Sequence, residues 1–380
     1  MPGSFVIDAL DSDHPADTNK SGASVGTNGN FTTQGGLRIF GSLIASGTGT
    51  LEISGSSVRI DGNLRTNAAL DISGVAISFR RDLWVNNDIA AAGAEIGVTG
   101  DLYQTAGHQL SSSLSVGGKK NTQESFSVAP PCACDAASIV DIAAIVADGK
   151  AHNHNADLGL GQDATLNMSG TGGLTLDCGR FFFTASTISG AANTIHAHGR
   201  TAIFIEGDLD VAGDFGVDVG DEGELDVFVS GNLRLSGSGT VGSTARPAAL
   251  RFYVAGSDDI DIKGAMVFSA NLYAPHARVN VGGADDIYGS LFAHDVEVSG
   301  AHDMHYDRAI MDSDGGDKCV PPPEPPPEPP PAPPGCANDS RLLSGPRLRA
   351  GELHAGARAA LKGTLRPARA PGDRAPLPAT

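Results

Sequence analysis

Apolar residues return along this chain at a fixed interval. Residues 51–69 (LEISGSSVRIDGNLRTNAA), 70–88 (LDISGVAISFRRDLWVNND) and 89–107 (IAAAGAEIGVTGDLYQTAG) align without a gap at a period of nineteen. Four columns are apolar throughout: Leu51/Leu70/Ile89, Val58/Ile77/Ile96, Ile60/Phe79/Val98 and Leu64/Leu83/Leu102. A fifth is glycine, Gly55/Gly74/Gly93. The recurring phrase is apolar-x-apolar-x-Gly-(Asp/Asn/Ser)-Leu, as in LRIFGSL at 37–43, VRIDGNL at 58–64, IGVTGDL at 96–102, IFIEGDL at 203–209 and VFVSGNL at 227–233. In the copy at 77–83, Arg81 stands where the glycine belongs. A shorter variant follows as IDIKGA at 260–265, VNVGGA at 279–284 and VEVSGA at 296–301.

Alternation at period two buries one face of a short strand, and the glycine after it is expected to supply the positive φ of a sharp corner. Nineteen residues cannot enclose a core alone. As one coil of a solenoid they pair their backbone with the coils above and below and stack aliphatic on aliphatic. The pattern predicts an all-β fold, a single-stranded parallel β-helix, expected to be right-handed. Its coils are about 17–24 residues long, and ten to twelve of them at ~4.8 Å spacing make a rod of about 50 Å.

The organisation read from the pattern is a lead-in or cap at 1–24, coils at 25–107, an insertion at 108–163, coils again at 164–318, a proline-rich linker at 319–336 and a tail at 337–380. The insertion holds a Pro-Pro break and then Ile139, Ile142, Ala143 and Val146 at helical spacing, which predicts a short amphipathic helix over about 136–148, along the rod or over its end. The linker VPPPEPPPEPPPAPPG reads as a polyproline II spacer and the tail as disordered. The tail's Ala/Arg/Pro/Gly-rich composition is also what GC-rich DNA gives when read in a wrong frame.

Composition sharpens this picture. Glycine numbers 50 of 380 residues, only 5% are aromatic, and the formal charge is −18. From Cys336 onward there are 8 Lys/Arg against 3 Asp/Glu, a net of +5, which leaves −23 for residues 1–335. An acidic body repels phosphate backbones, so nucleic acid is not an expected partner. No run approaches the ~18 apolar residues of a membrane helix, and Met1–Leu10 offers no basic start and apolar core of an export signal.

Candidate chemistry is sparse. The residue after the corner glycine is Ser42, Asn63, Asp82, Asp101, Asp208 or Asn232. Such a column could bind calcium or an acidic polysaccharide, or it could accept backbone hydrogen bonds at turns, and the turn is the expectation. Asp208 with Asp210, and Asp258 with Asp259, are the only local carboxylate pairs with the look of a lyase or hydrolase site. The segment GGADDIYG at 282–289 resembles a calcium-binding nonapeptide turn but lacks its second turn glycine. Histidines pair as His152/His154, His196/His198 and His302/His305 without a carboxylate or cysteine at a defining spacing, so they are expected to face solvent. Of the five cysteines, Cys132, Cys134 and Cys178 could form one bridge pinning the insertion to the solenoid, and Cys319 and Cys336 bracket the linker. The resulting expectation is no catalytic, cofactor-binding or metal-binding residue, no cofactor and no enzyme.

The run NLYAPHARVNVGGADDIYGSLFAHDVEVSGAHDMHYDRAI at 271–310 resembles the terminal signature of a bacterial domain of unknown function found in PilX-like pilus-assembly and other surface proteins. The matching residues are Tyr273, Ala274, Pro275, Tyr288, Gly289, His305, Tyr306 and Asp307. SFVIDALDS at 4–12, VGTNGNFTTQGG at 25–36, PPCACD, the CGRFFF run and GRTAIFIEGDL are similar to the rest of it, so the resemblance spans about residues 4–310. Coil length and stacking are also similar to bactofilin-type polymer-forming β-helices. The resemblance implies a non-enzymatic extracellular or cell-surface scaffold, adhesin-like or associated with pilus assembly, with other surface or pilus proteins or surface polysaccharide as partners. The alternatives are a carbohydrate-active β-helix and a self-associating, bactofilin-like filament.

Overall fold

A computed structural model describes residues 4–311 of the chain apart from 136, 284, 285 and 301. These residues form an all-β, parallel solenoid of about 14 turns with one α-helix. Linker and tail lie outside the described residues. A full turn carries three strand segments, for example Thr50–Ser56, Val58–Ile60 and Leu64–Thr66, which define a first, second and third face. The sequence period is the ladder register: Leu51 pairs with Leu70 and Leu70 with Ile89, while Leu64, Leu83 and Leu102 pair in succession on the third face. Leu51, Ile53, Val58, Ile60 and Leu64 are wholly buried, each contributing roughly 1.5–3 kcal/mol of transfer free energy.

Two kinds of corner glycine emerge. Gly55, Gly74 and Gly93 are left-handed, with φ of +125°, +143° and +140°. A Cβ on Gly93 would also lie 1.8 Å from the Gly74 carbonyl oxygen of the coil beneath. Gly62 and Gly100, in the repeated phrase itself, lack a left-handed φ. There the expectation of a positive φ is corrected: a Cβ on Gly62 would meet the Gly41 backbone at 2.5 Å, so close stacking on the coil beneath is what favours glycine at that coil. Arg81 likewise sits outside the left-handed region.

Coil order in space differs from coil order in sequence. Strand Ser4–Leu10, expected in a lead-in or cap, lies inside the rod because both its edges are paired: Ile7 with Met304 on one side and Ile39 on the other. The rod therefore runs from Leu166–Leu176 up to Asp303–Asp307, continues through Ser4–Leu10, and rises to Lys120–Gln123. The amino-terminal half stands on the carboxy-terminal half. The expected insertion is shortened too, since Ser115–Val116 and Lys120–Gln123 still pair as a coil.

From residue 124 the chain must return from one end of the rod to the other, and it does so as a strap over the third face. Phe126 meets Trp84 edge-on at 5.7 Å, itself stacked on Tyr103 at 3.7 Å. Three asparagine side chains clamp the strap by pairing with backbone as another strand would. Asn67 donates to the Val128 carbonyl and accepts from its N–H (2.9 and 2.8 Å), and Asn28 does the same for Cys132 (2.8 and 3.2 Å). At the far end Asn155, on the strap, serves Phe182 (2.7 and 2.9 Å). Between Trp84 and Phe182 lie roughly ten coil spacings, or about 50 Å.

The helix spans Ile142–Ala151, later than expected, because Asp141 is its N-cap and accepts from the Ala144 N–H at 2.9 Å. It lies along the rod. Ile142 and Val146 join an outward ladder of aromatics, Phe182, Phe204, Phe228, Tyr253, Tyr273 and Phe292, in register from coil to coil, with the helix lying against the strands of the first three. The Tyr273 hydroxyl accepts from the Val140 N–H at 3.0 Å. This makes a second core, outside the solenoid. Cys132 and Cys134 are bridged to each other within the strap, so they do not form the expected bridge to Cys178, which is itself disulfide-bonded; asparagines and aromatics pin the strap.

Gly93→Ala should destabilise the protein by several times the roughly 1 kcal/mol expected for Gly107→Ala. Both glycines are left-handed, but a Cβ on Gly107 would meet nothing within 4 Å. Denaturant midpoints of the two variants compare them directly.

Candidate functional site

The column after the corner glycine is a hydrogen-bond ladder. The Asn63 N–H donates to Ser42 Oγ (3.1 Å), Asp82 N–H to Asn63 Oδ1 (3.1 Å), Asp101 N–H to Asp82 Oδ1 (2.9 Å) and Lys119 N–H to Asp101 Oδ1 (2.8 Å). In the lower half Asn232 N–H donates to Asp208 Oδ1 (2.8 Å) and Asp258 N–H to Asn232 Oδ1 (3.1 Å). Each side chain ties down the next coil. Ser, Asn and Asp alternate freely in the column because one acceptor oxygen is all the position requires.

Asp208, Asp210 and Asp258 do come together, around Arg234. Its guanidinium donates to them at 2.6, 2.9 and 2.7 Å. Those bonds, Asp258's foremost, raise an already high pKa, so Arg234 keeps its proton and cannot act as a lyase base. Asp259 instead accepts from Asn280 at 3.3 Å. A second charged cluster had no signature in the repeat. Arg200 and Arg251 lie buried against Glu224 and Asp226, with Arg251 donating to both acids at 2.8 and 2.5 Å. The opposite charges at two ladder registers two residues apart, Arg200 beside Glu224 and Asp226 beside Arg251, were the available signal.

The histidine pairs separate. His152 pairs with Asp148, His196 with Asp218 and His198 with Asp177, while His154 Nδ1 accepts from the Arg180 N–H. His302 is buried, its Nε2 2.6 Å from the Ser299 carbonyl, which corrects the solvent-facing expectation for it. His305 is the exception that gathers partners, at the junction of the two half-rods. Its Nδ1 donates to Asp8 Oδ1 at 2.6 Å, its Nε2 is 3.7 Å from Asp286, and its ring lies 4.6 Å from that of Tyr288. Lys20 donates to the other Asp8 oxygen at 2.6 Å. Ligand atoms of Asp286, Asp303 and His305 all lie within 4.8 Å of one another, a donor set that could hold a divalent cation, with Asp8 orienting the imidazole. The three ligand residues lie on neighbouring coils close in sequence, and only the orienting Asp8 is distant, 297 residues from His305.

Electrostatics at this junction is strongly coupled. Burial acts to raise Asp8, but hydrogen bonds from His305 and Lys20 outweigh it and hold the carboxyl below its usual range. Burial likewise acts to lower His305, and the Asp8 bond and charge reverse it, so the imidazole is raised. Burial, then Asp286, push Asp303 up.

Beside this cluster the first face is interrupted. On the second face, Asp303–Asp307, Ser4–Leu10 and Gly36–Ile39 follow one another without a break. On the first face, residues 296–300 pair with 279–283 and Thr32–Gln34 pairs with 52–54, and no described strand lies between them. The result is a cleft of about 820 Å³. Its floor is Ile7, Leu37, Ile287, Leu291 and Met304, and its walls are residues 294–300 and 29–36.

Fold and site together define a parallel β-solenoid closed by an external strap, with a cleft and an ionic cluster where its two halves meet. The chain belongs to the family described as Domain of unknown function (DUF7305), whose model matches residues 117–313. That span takes in the last upper strand, Lys120–Gln123, the strap and the whole lower half. No curated protein and no solved structure gives a significant match.

Two measurements test the geometry. Asp82→Ala should cost about 1–2 kcal/mol by leaving the Asp101 N–H without its acceptor, while Asp82→Asn stays within about 0.5 kcal/mol, as denaturation curves would record. For the junction, the Asp8 contribution is present above pH ~3.8 and lost as pH falls through its lowered folded value, whereas the His305 contribution is complete below pH ~6.5 and lost as pH rises through its raised folded value. Melting temperature should therefore decline from pH 6.5 to 8.5, and the decline should be shallower in His305→Gln.

Proposed function

We propose that this protein is a non-catalytic solenoid scaffold of the bacterial cell surface, adhesin-like or associated with pilus assembly. One observation carries the non-catalytic part. The acids that the repeat offers as ligands or catalysts are engaged elsewhere, those of the corner column as acceptors for the next coil and Asp208, Asp210 and Asp258 around a fully protonated Arg234. The surface and pilus part rests on the resemblance of residues 271–310 to PilX-like proteins. Its signature residues fall at the strap and the junction: Tyr273 under the strap, Tyr288 and His305 in the ionic cluster, and Asp307 accepting from both the backbone and hydroxyl of Ser12 at 2.9 and 2.7 Å. On this reading other surface proteins or surface polysaccharide are its partners.

A second reading, a self-stacking filament, has one observation in its favour. Among the described residues, Leu166–Leu176 and Lys120–Gln123 each pair on one side only, so both rod ends present strand edges. The test uses native cells and the purified chain. The scaffold reading expects the protein in the surface fraction and no release of reducing or unsaturated ends from a panel of acidic polysaccharides. Degradation that disappears in Asp208→Ala would overturn it, and concentration-dependent filaments by electron microscopy would select the second reading.

A further inference from the structure

Charge is sorted along the rod and around it. The lower half, residues 164–311, carries 8 Lys/Arg against 19 Asp/Glu, whereas the upper coils, 36–123, carry 7 of each. Within the upper coils the signs part by face. Glu52 and Asp71 stand side by side on the outside of the first face, and Arg38 and Arg59 do so on the second. Like charges side by side in a ladder repel, and Arg38 and Arg59 are held by one shared acid, Asp61, at 3.1 and 2.5 Å. Arg80 and Arg81 follow at the next corner, exposed and without a carboxylate partner among the described residues. Arg81 also departs from the repeat. Its column is glycine at 41, 62, 100 and 118, where a Cβ would meet the coil beneath, so nothing in coil stacking asks for a side chain there.

Arg81 lines a groove of about 740 Å³ over the corner between the second and third faces. That volume falls within the roughly 300–1,000 Å³ of small-ligand sites. The loop 18–24 walls the groove, and Phe40–Ser42 and Asp61–Asn63 floor it. At one end Lys20 lies 5.7 Å over the Phe40 ring and gives one of its three donors to Asp8 at 2.6 Å. Arg81 stands two coils above Gly41, ~9.6 Å along the rod. Neutral hydrogen-bonding groups lie between the two cations. The Asn19 and Asn63 carboxamides use their oxygens on the backbone of Ser21 and Asp82, which leaves both NH2 groups free among the described residues. Ser42 Oγ accepts from the Asn63 N–H and keeps its own proton to donate.

We propose that this groove binds an acidic oligosaccharide, a chain of carboxylated sugars. Lys20 and Arg81 take carboxylates at its two ends, and Asn19, Asn63 and Ser42 take ring hydroxyls between them. The inference rests on the surface-polysaccharide reading above and gives it a chemical class and a place. The lining decides among anions. A peptide would need an open strand edge or apolar pockets, but the strands beside the groove, Gly36–Ile39, Leu43–Ala45, Val58–Ile60 and Leu64–Thr66, are paired on both edges. Phe40 is the one aromatic or aliphatic side chain in the lining. A single-stranded nucleic acid would need open aromatic faces, and Arg38 lies 3.8 Å over that ring.

The probe is a short end-labelled oligogalacturonate titrated into the full chain and read by anisotropy, with a neutral malto-oligosaccharide of equal length beside it. Saturable binding is expected for the acidic chain, weakening as salt rises, and none for the neutral one. Arg81→Gly restores the glycine of the column, so the fold keeps, and binding should weaken about tenfold with the loss of one charge-assisted contact. Asn63→Ser keeps an acceptor for the Asp82 N–H but removes the NH2, and should cost roughly two- to fivefold. Arg278→Gln makes the same charge change on the exposed lower half and should stay within about twofold of the parent. Absence of saturable binding would overturn the groove while leaving the surface location, which cell fractionation tests, in place. Equal effects of Arg81→Gly and Arg278→Gln, large or nil, would put the binding elsewhere on the chain and overturn it. Equal binding of the neutral chain would do the same, as would tighter, Arg81-dependent binding of oligodeoxythymidylate or of phosphatidylglycerol vesicles, which would make the ligand a phosphate.

Discussion

The parallel ladder between Asp303–Asp307 and Ser4–Leu10 is the interaction on which the rest of this molecule depends. A solenoid coil has no side chains with which to choose its neighbour beyond the aliphatic columns and backbone edges that every coil shares. Joining residue 304 to residue 7 makes one rod of two half-rods, and it forces the remainder of the architecture. Because the lower half follows the upper half in sequence but precedes it in space, the chain has to cross the length of the rod between them. The strap is that crossing. Its asparagine clamps and aromatic covering follow from the need to lay irregular backbone on a sheet face without leaving buried N–H and C=O groups unpaired.

The same constraint explains where the polar specificity of the molecule is concentrated. Repeated aliphatics would allow a coil to slip by one repeat, whereas non-repeating polar contacts fix a single pairing. Asp8 with His305, Ser12 with Asp307 and Asp17 with Arg308 join segments almost 300 residues apart. Asp307 is wholly buried and also accepts from the Ala248 and Ala309 N–H groups, so one carboxylate ties together both half-rods and the turn at 247–249. A fold closed by contacts of this separation carries a large loop-closure cost before its seam forms. The family's matched span, 117–313, includes the strap, the lower half and the carboxy-terminal side of the seam, and these are the parts that no generic coil could replace.

Much of the coil itself was legible in the sequence, and for a physical reason. The nineteen-residue period is the ladder register, so Leu51, Leu70 and Ile89 could be placed on one another before any coordinate was known. The turn role of Asn63, Asp82 and Asp101 was legible as well, because a column that accepts Ser, Asn or Asp asks only for an oxygen. Coil order was not. A repeat reads the same wherever the series begins, and nothing in SFVIDAL says that its neighbours are both 36–39 and 303–307. Nothing in the repeat marks Asn28, Asn67 and Asn155, since a side-chain amide that mimics a strand edge carries no periodic signal. The outward aromatics Phe204, Phe228 and Tyr253 do recur from coil to coil, but their meaning required the strap that covers them.

The cleft follows from the same topology. Where the two half-rods meet, Ser4–Leu10 pairs with both halves on the second face, whereas on the first face no described strand lies between 296–300 and Thr32–Gln34. A gap of this kind opens the core at Ile7, Leu37 and Met304, and it does so beside the most polar part of the seam. The seam that holds the rod together is therefore also where the cleft lies.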